Sequence, residues 1–303
     1  GICSGDITVI EAIEGKMVPE LLPFIIQTPV FFDYANRGSA GSLSPRVKWE
    51  HLADYEFELP PLEEQKILAD KLWAAYRLKE AYKKLLDATD EMVKSQFIEM
   101  FGNPLSLNQK NELKRLGECC ILNPRRPNIA LCDTDKVSFI PMPAVSEDGY
   151  LVDMADEEYG KVKKGFTYFE NNDVLFAKIT PCMENGKGAI AYGLTNGIGV
   201  GSTEFHVLRP INGISSPYWL LTLTRMPIFR ERAAKNMSGT GGQKRVSASY
   251  LNHFMVGLPA IEEQRRFEAI YRQADKSKFG DFKSQFIEMY YNTHNKQTLE
   301  SVC

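Results

Sequence analysis

An internal repeat limits what this chain can fold into more than any other feature of its sequence. The heptapeptide LPPLEEQ at residues 59–65 returns as LPAIEEQ at residues 258–264, an offset of 264 − 65 = 199 residues. The heptapeptide KSQFIEM at residues 94–100 is repeated without change at residues 283–289, with an offset of 284 − 95 = 189. A period of this size indicates two copies of a whole domain rather than a solenoid of short units.

The register of the first heptapeptide extends upstream. At an offset of 199, Arg46 aligns with Arg245, and at an offset of 198, Pro19 aligns with Pro217. With the same shift, residues 4–10 (SGDITVI) fall on residues 202–208 (STEFHVL). We therefore expect residues 1–60 to be the C-terminal half of a first domain, whose second copy is complete at residues 109–259. The tail at residues 293–303 contains TLESVC, which resembles RLGECC at the opening of the complete copy and predicts the start of a further repeat.

Two long helices are predicted after the two copies, at residues 61–108 and 260–292. Residues 62–100 contain no Gly or Pro, and Pro61 suits the first turn of a helix. Apolar residues recur there with heptad-like spacing, at Leu68, Leu72, Ala75, Tyr82, Leu86, Val93 and Met100. The helices either pack on each other as an antiparallel pair or lie buried in separate cores, and their length favours the first arrangement.

The complete copy has the pattern of a mixed α+β domain. Short apolar segments at residues 139–140, 174–177, 188–192 and 205–208 predict strands, and Asn-Gly pairs beginning at residues 185, 196 and 212 predict turns between them. A helix is predicted over about residues 217–234. The fold class is therefore α+β, with strand-containing domains separated by long helices that resemble a coiled coil.

Composition and spacing argue against several classes of site. The six cysteines include no Cys-x-x-Cys pair, and the four histidines, at 51, 206, 253 and 294, have no metal-ligand spacing. We expect no metal site, with the cysteines as reduced thiols in the cytoplasm and the histidines at surface or satisfied core positions. Apolar segments such as residues 21–32 are interrupted too often to cross a bilayer. Because the sequence begins with Gly1, we expect it to begin inside a longer gene product or after a tag.

Catalytic motifs are also missing from the sequence. The glycines of residues 197–201 do not have G-x-G-x-x-G spacing, and those of residues 239–242 do not have the order of a phosphate-binding G-x-x-x-x-G-K-[ST] loop. The Asn/Asp-Pro-Pro-aromatic motif of amino-methyltransferases is absent, and the acidic pair Asp133 and Asp135 has no second pair at strand spacing. We expect no catalytic residues and no cofactor bound by this chain.

Several motifs together resemble one known family. LPPLEEQ follows a Gly/Ser-rich loop, FAKITP occupies residues 176–181, ENGKG occupies residues 184–188, and STEFHVLRP occupies residues 202–210. In this order they resemble the specificity subunits of type I restriction-modification enzymes, over essentially the whole chain. The resemblance implies two target recognition domains, each reading one half of a split DNA sequence, with two paired helices that fix the spacing. The first recognition domain lacks its opening half here.

That resemblance implies a binding subunit without catalysis of its own. Its expected partners are double-stranded DNA, methyltransferase (modification) subunits and a restriction/translocase subunit, with S-adenosylmethionine and ATP held by the partner subunits. Two alternatives stay open at this point. The chain is the recognition portion of a fused methyltransferase-nuclease, or it is a truncated or recombined subunit whose half-domain needs self-association with a second copy.

Candidate DNA-binding residues lie on three loops and a short motif of the complete copy. Net charge is −3, so a DNA-binding surface must be local, and residues 225–245 hold six basic residues against one acidic residue. Amide and basic side chains on loops can reach base edges and phosphates. We expect Lys244 and Arg245 to contact phosphates, and Lys178, Asn185 and Lys187 to affect sequence preference. The full candidate set is Arg125, Arg126, Lys178, Thr180, Asn185, Lys187, Ser202, Thr203, Gln243, Lys244 and Arg245.

Overall fold

The computed structural model describes residues 4, 7–41, 45–103, 111–240 and 242–279. Its α-helices are α1 (Leu22–Ile25), α2 (Pro29–Arg37), α3 (Trp49–Ala53), α4 (Leu62–Phe101), α5 (Leu116–Cys119), α6 (Tyr159–Val162), α7 (Pro217–Arg225), α8 (Pro227–Lys235), α9 (Ala248–Asn252) and α10 (Ile261–Phe279). Its strands are β1 (Ser39–Ala40), β2 (Arg46–Val47), β3 (Glu112–Arg115), β4 (Cys120–Leu122), β5 (Lys136–Ile140), β6 (Ala155–Glu158), β7 (Thr167–Glu170), β8 (Val174–Ala177), β9 (Gly188–Ile190), β10 (Ile198–Gly201), β11 (Phe205–Pro210) and β12 (Met255–Leu258). Two compact units divide between Leu86 and Asp87.

The unit up to Leu86 is small and mainly helical. It contains a 3-10 turn (Pro19–Leu21), α1 to α3, the β1–β2 hairpin and the first part of α4. Its buried cluster consists of Val18, Leu21 and Ala69, with three partly buried neighbours, Ile25, Leu62 and Leu72. Since so few apolar side chains are enclosed, this unit depends on the α4 seam for its core.

The unit from Asp87 contains two four-stranded sheets. Their strand orders are β6-β5-β10-β7 and β4-β11-β8-β9, and β12 pairs with β3 in a separate two-stranded sheet. Strand β11 lies between β4 and β8 and is antiparallel to both. Successive β11 side chains point to opposite faces, so Phe205 and Val207 enter one buried cluster while Leu208 enters another. Both faces of this strand are therefore covered.

The strand predictions agree with the structure, and one helix prediction is wrong. Strand β8 has the expected bounds, and β5, β9 and β11 overlap the segments expected from the apolar pattern. The single helix expected over residues 217–234 is two helices, α7 and α8, separated at Met226. Pro227 disfavours the helical conformation at the residue before it, and Met226 is accordingly extended, with φ −62° and ψ 134°.

The long helices pack against each other within the unit from Asp87. Phe267 of α10 contacts the rings of Phe97 and Phe101 of α4, with centroids 5.2 and 5.6 Å away. One turn further along α10, Tyr271 lines the same small cavity as Val93 of α4. Towards the C-terminus of α10 its contacts lie closer to the N-terminus of α4, so the two helices are antiparallel. This confirms the α+β class with long packed helices, while residues 280–292 lie outside the described residues.

The repeat recurs in the bounds of the helices. Helices α2 and α8 have the same length and are offset by 198 residues, and α3 and α9 are likewise equal and offset by 199. Helices α4 and α10 begin at equivalent positions, Leu62 and Ile261. The further repeat expected at residues 293–303 lies outside the described residues. No helix in the described part of the chain is long and apolar enough to span a membrane.

Candidate nucleic-acid interface

Three segments that carry candidate residues meet at one end of the second sheet. The loop after β8 begins at Lys178, whose N–H donates to the carbonyl of Glu204 at 2.9 Å. The carbonyl of Lys178 accepts from the N–H of Val246 at 3.0 Å. Residues 178–180, 202–204 and 242–246 are thus joined by backbone hydrogen bonds, although they are far apart in sequence.

Thr180 fastens the glycine-rich loop to this junction. Its hydroxyl donates to the carbonyl of Gly242 at 2.5 Å and accepts from the N–H of Lys244 at 3.0 Å, and its own N–H donates to the carbonyl of Lys244. The loop also needs glycine at residue 239, where φ is +140° and a Cβ would collide with the carbonyl of Gln243. Gln243 and Lys244 are consequently held in a defined position with their side chains exposed.

Arg245 is engaged by an acidic partner. Its guanidinium donates to both carboxylate oxygens of Glu204, with the shortest distance 2.7 Å. Hydrogen bonding to Arg245 lowers the pKa of the Glu204 carboxyl below its usual range, and Lys178 adds to the effect. Since the ion pair offsets the charge of Arg245, Lys244 is the cation of this loop best placed for a phosphate; the structure gives Lys244 no ion pair with another described residue.

His206 lies under the junction and is satisfied on both ring nitrogens. Its Nε2 is 2.9 Å from the carbonyl of Val246, so Nε2 carries the proton and donates, and Nδ1 accepts from the amide of Asn123 at 3.0 Å. Burial lowers the pKa of His206, and the charge of Lys178 lowers it further. The expectation of a satisfied core histidine is confirmed.

Asn123 ties the basic turn before residue 127 to the same strand. Its backbone is left-handed, with φ 51°, and its side-chain oxygen accepts from the N–H of Val207 at 3.0 Å. Arg125 projects into solvent beyond it. The guanidinium of Arg126 donates to the carbonyl of Lys163 at the C-terminal end of α6 and lies 5.8 Å from the ring of Tyr159. Arg126 therefore caps a helix, whereas Arg125 is free to contact a ligand.

The far end of the loop after β8 holds two further candidates. The loop folds back on itself, because the N–H of Lys187 donates to the carbonyl of Cys182 and the N–H of Ala177 donates to that of Lys187. Asn185 is exposed and its amide donates to the carboxylate of Glu147 at 2.9 Å. Lys187 is partly buried. These side chains share the loop with Thr180 but lie outside its contact with the glycine-rich segment.

The structure thus groups the candidates unequally. Those on the three joined segments are Lys178, Thr180, Ser202, Thr203, Gln243, Lys244 and Arg245, among which Thr203 is exposed and the Ser202 hydroxyl accepts from the N–H of Glu204. Asn123 and His206 connect the turn of Arg125 and Arg126 to that group. Sequence reasoning missed Lys164, an exposed cation next to the carbonyl that Arg126 caps. The three lysines within residues 161–164, followed by the exposed Phe166, could have indicated it.

The described residues offer little to metal or thiol chemistry. Within them, no group of three or more His, Cys, Asp or Glu side chains is arranged to hold a metal ion. Cys119 and Cys120 are buried, and burial raises the pKa of the Cys119 thiol to about 12 and that of Cys120 further. Both thiols are therefore protonated at neutral pH and are poor nucleophiles.

A family model described as "Type I restriction modification DNA specificity domain" matches residues 108–279. The match covers more than half of the chain and contains every candidate residue. The chain belongs to this family. The joined loops of Thr180, Glu204 and Lys244 are accordingly part of a type I specificity domain, and the resemblance found from the sequence motifs is confirmed.

Curated relatives carry the same description. The type I restriction enzyme EcoAI specificity subunit of Escherichia coli is 43% identical over 136 residues, which are 44% of this chain and 23% of the relative. The EcoEI specificity subunit of Escherichia coli is 38% identical over 166 residues, 54% of this chain and 27% of the relative. The chain therefore spans about a quarter of the length of these relatives. The solved HsdS subunit from Thermoanaerobacter tengcongensis is 20% identical, with a TM-score of 0.44 over 88% of this chain and 65% of that chain.

Proposed function

We propose that the specificity domain binds double-stranded DNA and reads one half of a bipartite target. The observation that carries this proposal is the junction of three loops, where backbone bonds of Thr180, Lys178 and Glu204 hold exposed polar and basic side chains in fixed positions. Side chains that read base edges bind more tightly when they are already held in place. A mobile side chain would lose conformational freedom on binding, and that loss would reduce the affinity for DNA.

The candidate residues take different roles in this proposal. Lys244 and Arg125 contact phosphates, and Arg126 and Arg245 support the surface through the carbonyl of Lys163 and the carboxylate of Glu204. Base reading falls to the amide and basic side chains of Gln243, Asn185, Lys178 and Lys187. The hydroxyls of Ser202, Thr203 and Thr180 complete the surface, with Thr180 acting through its loop bonds.

The wider assignment follows from the family and rests on the same proposal. The chain directs methyltransferase subunits and a restriction/translocase subunit to DNA in the cytoplasm, and has no catalytic residues, metal or cofactor of its own. Its domains are a C-terminal half of a first recognition domain (1–60), a spacer helix (61–108), a complete recognition domain (109–259), a second spacer helix (260–292) and the start of a further repeat (293–303). A chain with such a half-domain can also self-associate. Both curated relatives are named as specificity subunits, which favours this assignment over a fused enzyme.

The test is selection of sequences from a random duplex DNA library by the purified full chain. We expect enrichment of one short, continuous half-site. Lys244→Ala should weaken binding to all sequences about equally and lower the salt dependence by about one phosphate contact. The control is Lys136→Ala, a lysine at 3.9 Å from Glu158 on the acidic β5–β6 edge. Absence of any enriched sequence would contradict the proposal.

A further inference from the structure

A buried glutamine occupies the fourth position of each long helix. Gln65 of α4 is 1% exposed and Gln264 of α10 is 0% exposed. Burying an amide is unfavourable unless its donors and acceptor are all satisfied, and an apolar residue would fill the same volume without that requirement. Glutamine at both positions therefore indicates that its directed hydrogen bonds, and not only its volume, have a structural role.

Gln264 joins three segments of the recognition domain. Its Oε1 accepts from the N–H of Ser216, the N-cap residue of α7, at 2.9 Å. Its Nε2 donates to the carbonyls of Ile214 at 2.9 Å and Pro259 at 2.8 Å. Both amide hydrogens and the amide oxygen are used. Three bonds therefore fix the plane of the amide, two of them to the segment before α7 and one to the residue two positions before α10.

Gln65 makes the same three bonds in the other unit. Its Oε1 accepts from the N–H of Val18 at 2.8 Å, and its Nε2 donates to the carbonyls of Lys16 at 3.2 Å and Pro60 at 2.7 Å. The partners are equivalent by the repeat register, since 214 − 16 and 216 − 18 equal 198 and 259 − 60 equals 199. The network thus occurs twice in one chain, on different surrounding sequences.

The next attachment along each helix is different in the two copies. Two turns after Gln65, the indole of Trp73 donates to the carbonyl of Glu20 at 2.8 Å. At the equivalent place after Gln264, the guanidinium of Arg272 lies 4.7 Å over the ring of Tyr218. Positions 73 and 272 are again 199 apart. Their partners, Glu20 and Tyr218, are 198 apart, so the second attachment keeps its place in the repeat while its chemistry changes. The glutamine network keeps both its place and its chemistry.

We infer that Gln65 and Gln264 are positioning residues that set the angle at which each spacer helix leaves its recognition domain. Resting on the proposed function, this angle determines where a recognition domain stands on DNA relative to its neighbour. A planar amide with three directed bonds resists both rotation and tilt of the first helical turn. An apolar side chain in its place would keep the packing and leave the direction of the helix less defined.

The test measures orientation directly in the full chain without DNA. Nitroxides are attached at Ile121 of the recognition domain, which is exposed and outside the candidate DNA-binding set, and at Ala269 of α10. They are attached through encoded ketone side chains, because the exposed Cys132 would also react with a thiol-specific label. Pulsed electron resonance then gives the distribution of distances between the labels. We expect Gln264→Met to widen this distribution roughly twofold while half-site selection stays unchanged. Gln273→Met, an exposed glutamine of the same helix, should leave the width unchanged.

Further variants separate positioning from folding and from DNA reading. Gln65→Met, with labels at the exposed Val30 and Lys79, repeats the measurement in the other unit. Gln264→Glu keeps the acceptor, has at most one donor for the two carbonyls, and should also widen the distribution. An unchanged width of the distance distribution in Gln264→Met would overturn the inference. If both Met variants fail to fold, a wild-type width in Gln264→Glu would overturn it instead. A wild-type chain that selects no sequence would instead contradict the proposed DNA reading and leave the distance result valid.

Discussion

The two copies of the repeat take the same helices but bury their equivalent apolar residues very differently. Ile7 and Val9 of the first copy are 58% and 68% exposed, whereas their equivalents Phe205 and Val207 are 2% and 0% exposed. In the second copy these side chains belong to β11, which β4 and β8 flank, and no described segment flanks Ile7 in this way. Local sequence therefore specifies the helices, and partner strands decide which residues become core.

The glycine-rich loop of the candidate interface also differs between the two copies. Gln243 and Lys244 of the second copy correspond in sequence to Ser44 and Pro45 of the first, which can neither donate an amide bond to a base nor contact a phosphate with a charge. The arginine after them, Arg46 or Arg245, is present in both. The first loop therefore lacks the amide and the lysine that the proposal assigns to DNA contact in the second.

The largest expected difference between the copies is in stability. Phe205→Ala should cost about 3–5 kcal/mol of unfolding free energy, because it leaves a cavity between the two sheets. Ile7→Ala, the equivalent change in the first copy, should cost less than about 0.5 kcal/mol, since its side chain is mostly in water. Denaturant unfolding of both variants tests this pair. Equal losses would show that the first copy has a core of its own around Ile7.

A pH dependence of stability is expected from His206 of the second copy. The folded-state pKa of His206 lies below its ordinary value of 6.5, mainly because of burial, so below that pH the unfolded chain takes up a proton that the folded chain resists. Stability is full above about pH 6.5 and falls as the pH decreases through the folded-state pKa. The first copy has Thr8 at this position. Chemical unfolding between pH 7.5 and 5 should show the loss in the wild type and a flatter profile in His206→Gln.

The smallest expected effect concerns a hydrogen bond that both copies share. Tyr250 donates its hydroxyl to the carbonyl of Arg232, and His51, its equivalent, donates from Nε2 to the carbonyl of Tyr34. Tyr250→Phe should lower stability by about 0.5 kcal/mol, the lower end of the range for such bonds, because this one is partly solvated. His51→Phe should have a similar effect in the first copy. A clear difference between the two losses would mean that these bonds are not equivalent.

The repeat register made much of the fold predictable from the sequence. It predicted the equivalent starts of α4 and α10, and the apolar pattern located β8 and the long α4, whereas the short helices α2, α3 and α9 were not predicted. The break at Met226 was missed because the apolar pattern continues across it, although Pro227 was visible. The spacing of apolar residues indicates whether a segment is a helix or a strand. A single proline can end a helix without changing that spacing.

The candidate site was predictable as a set of loops and not as a surface. Thr180 and Lys244 are 64 residues apart, and their bonds form where the segment after β8 pairs with residues 244–246 through the Ile179–Arg245 bridge. Likewise, the engagement of Arg245 by Glu204 and of Arg126 by the carbonyl of Lys163 depends on contacts between segments distant in sequence, which residue type does not reveal. Basic residues that support the surface therefore looked the same in sequence as those free to contact DNA.

The most direct measurement of the difference between the copies is a lysine acetylation footprint of the full chain with and without its selected duplex. Lys178, Lys187 and Lys244 of the complete copy are compared with Lys16 and Lys48 of the first, using mass spectrometry to follow the rate at each lysine. We expect bound DNA to slow acetylation of Lys244 severalfold and to leave Lys48 unchanged. Equal protection of Lys48 and Lys244, or no protection of Lys244, would contradict the assignment of DNA reading to the complete copy.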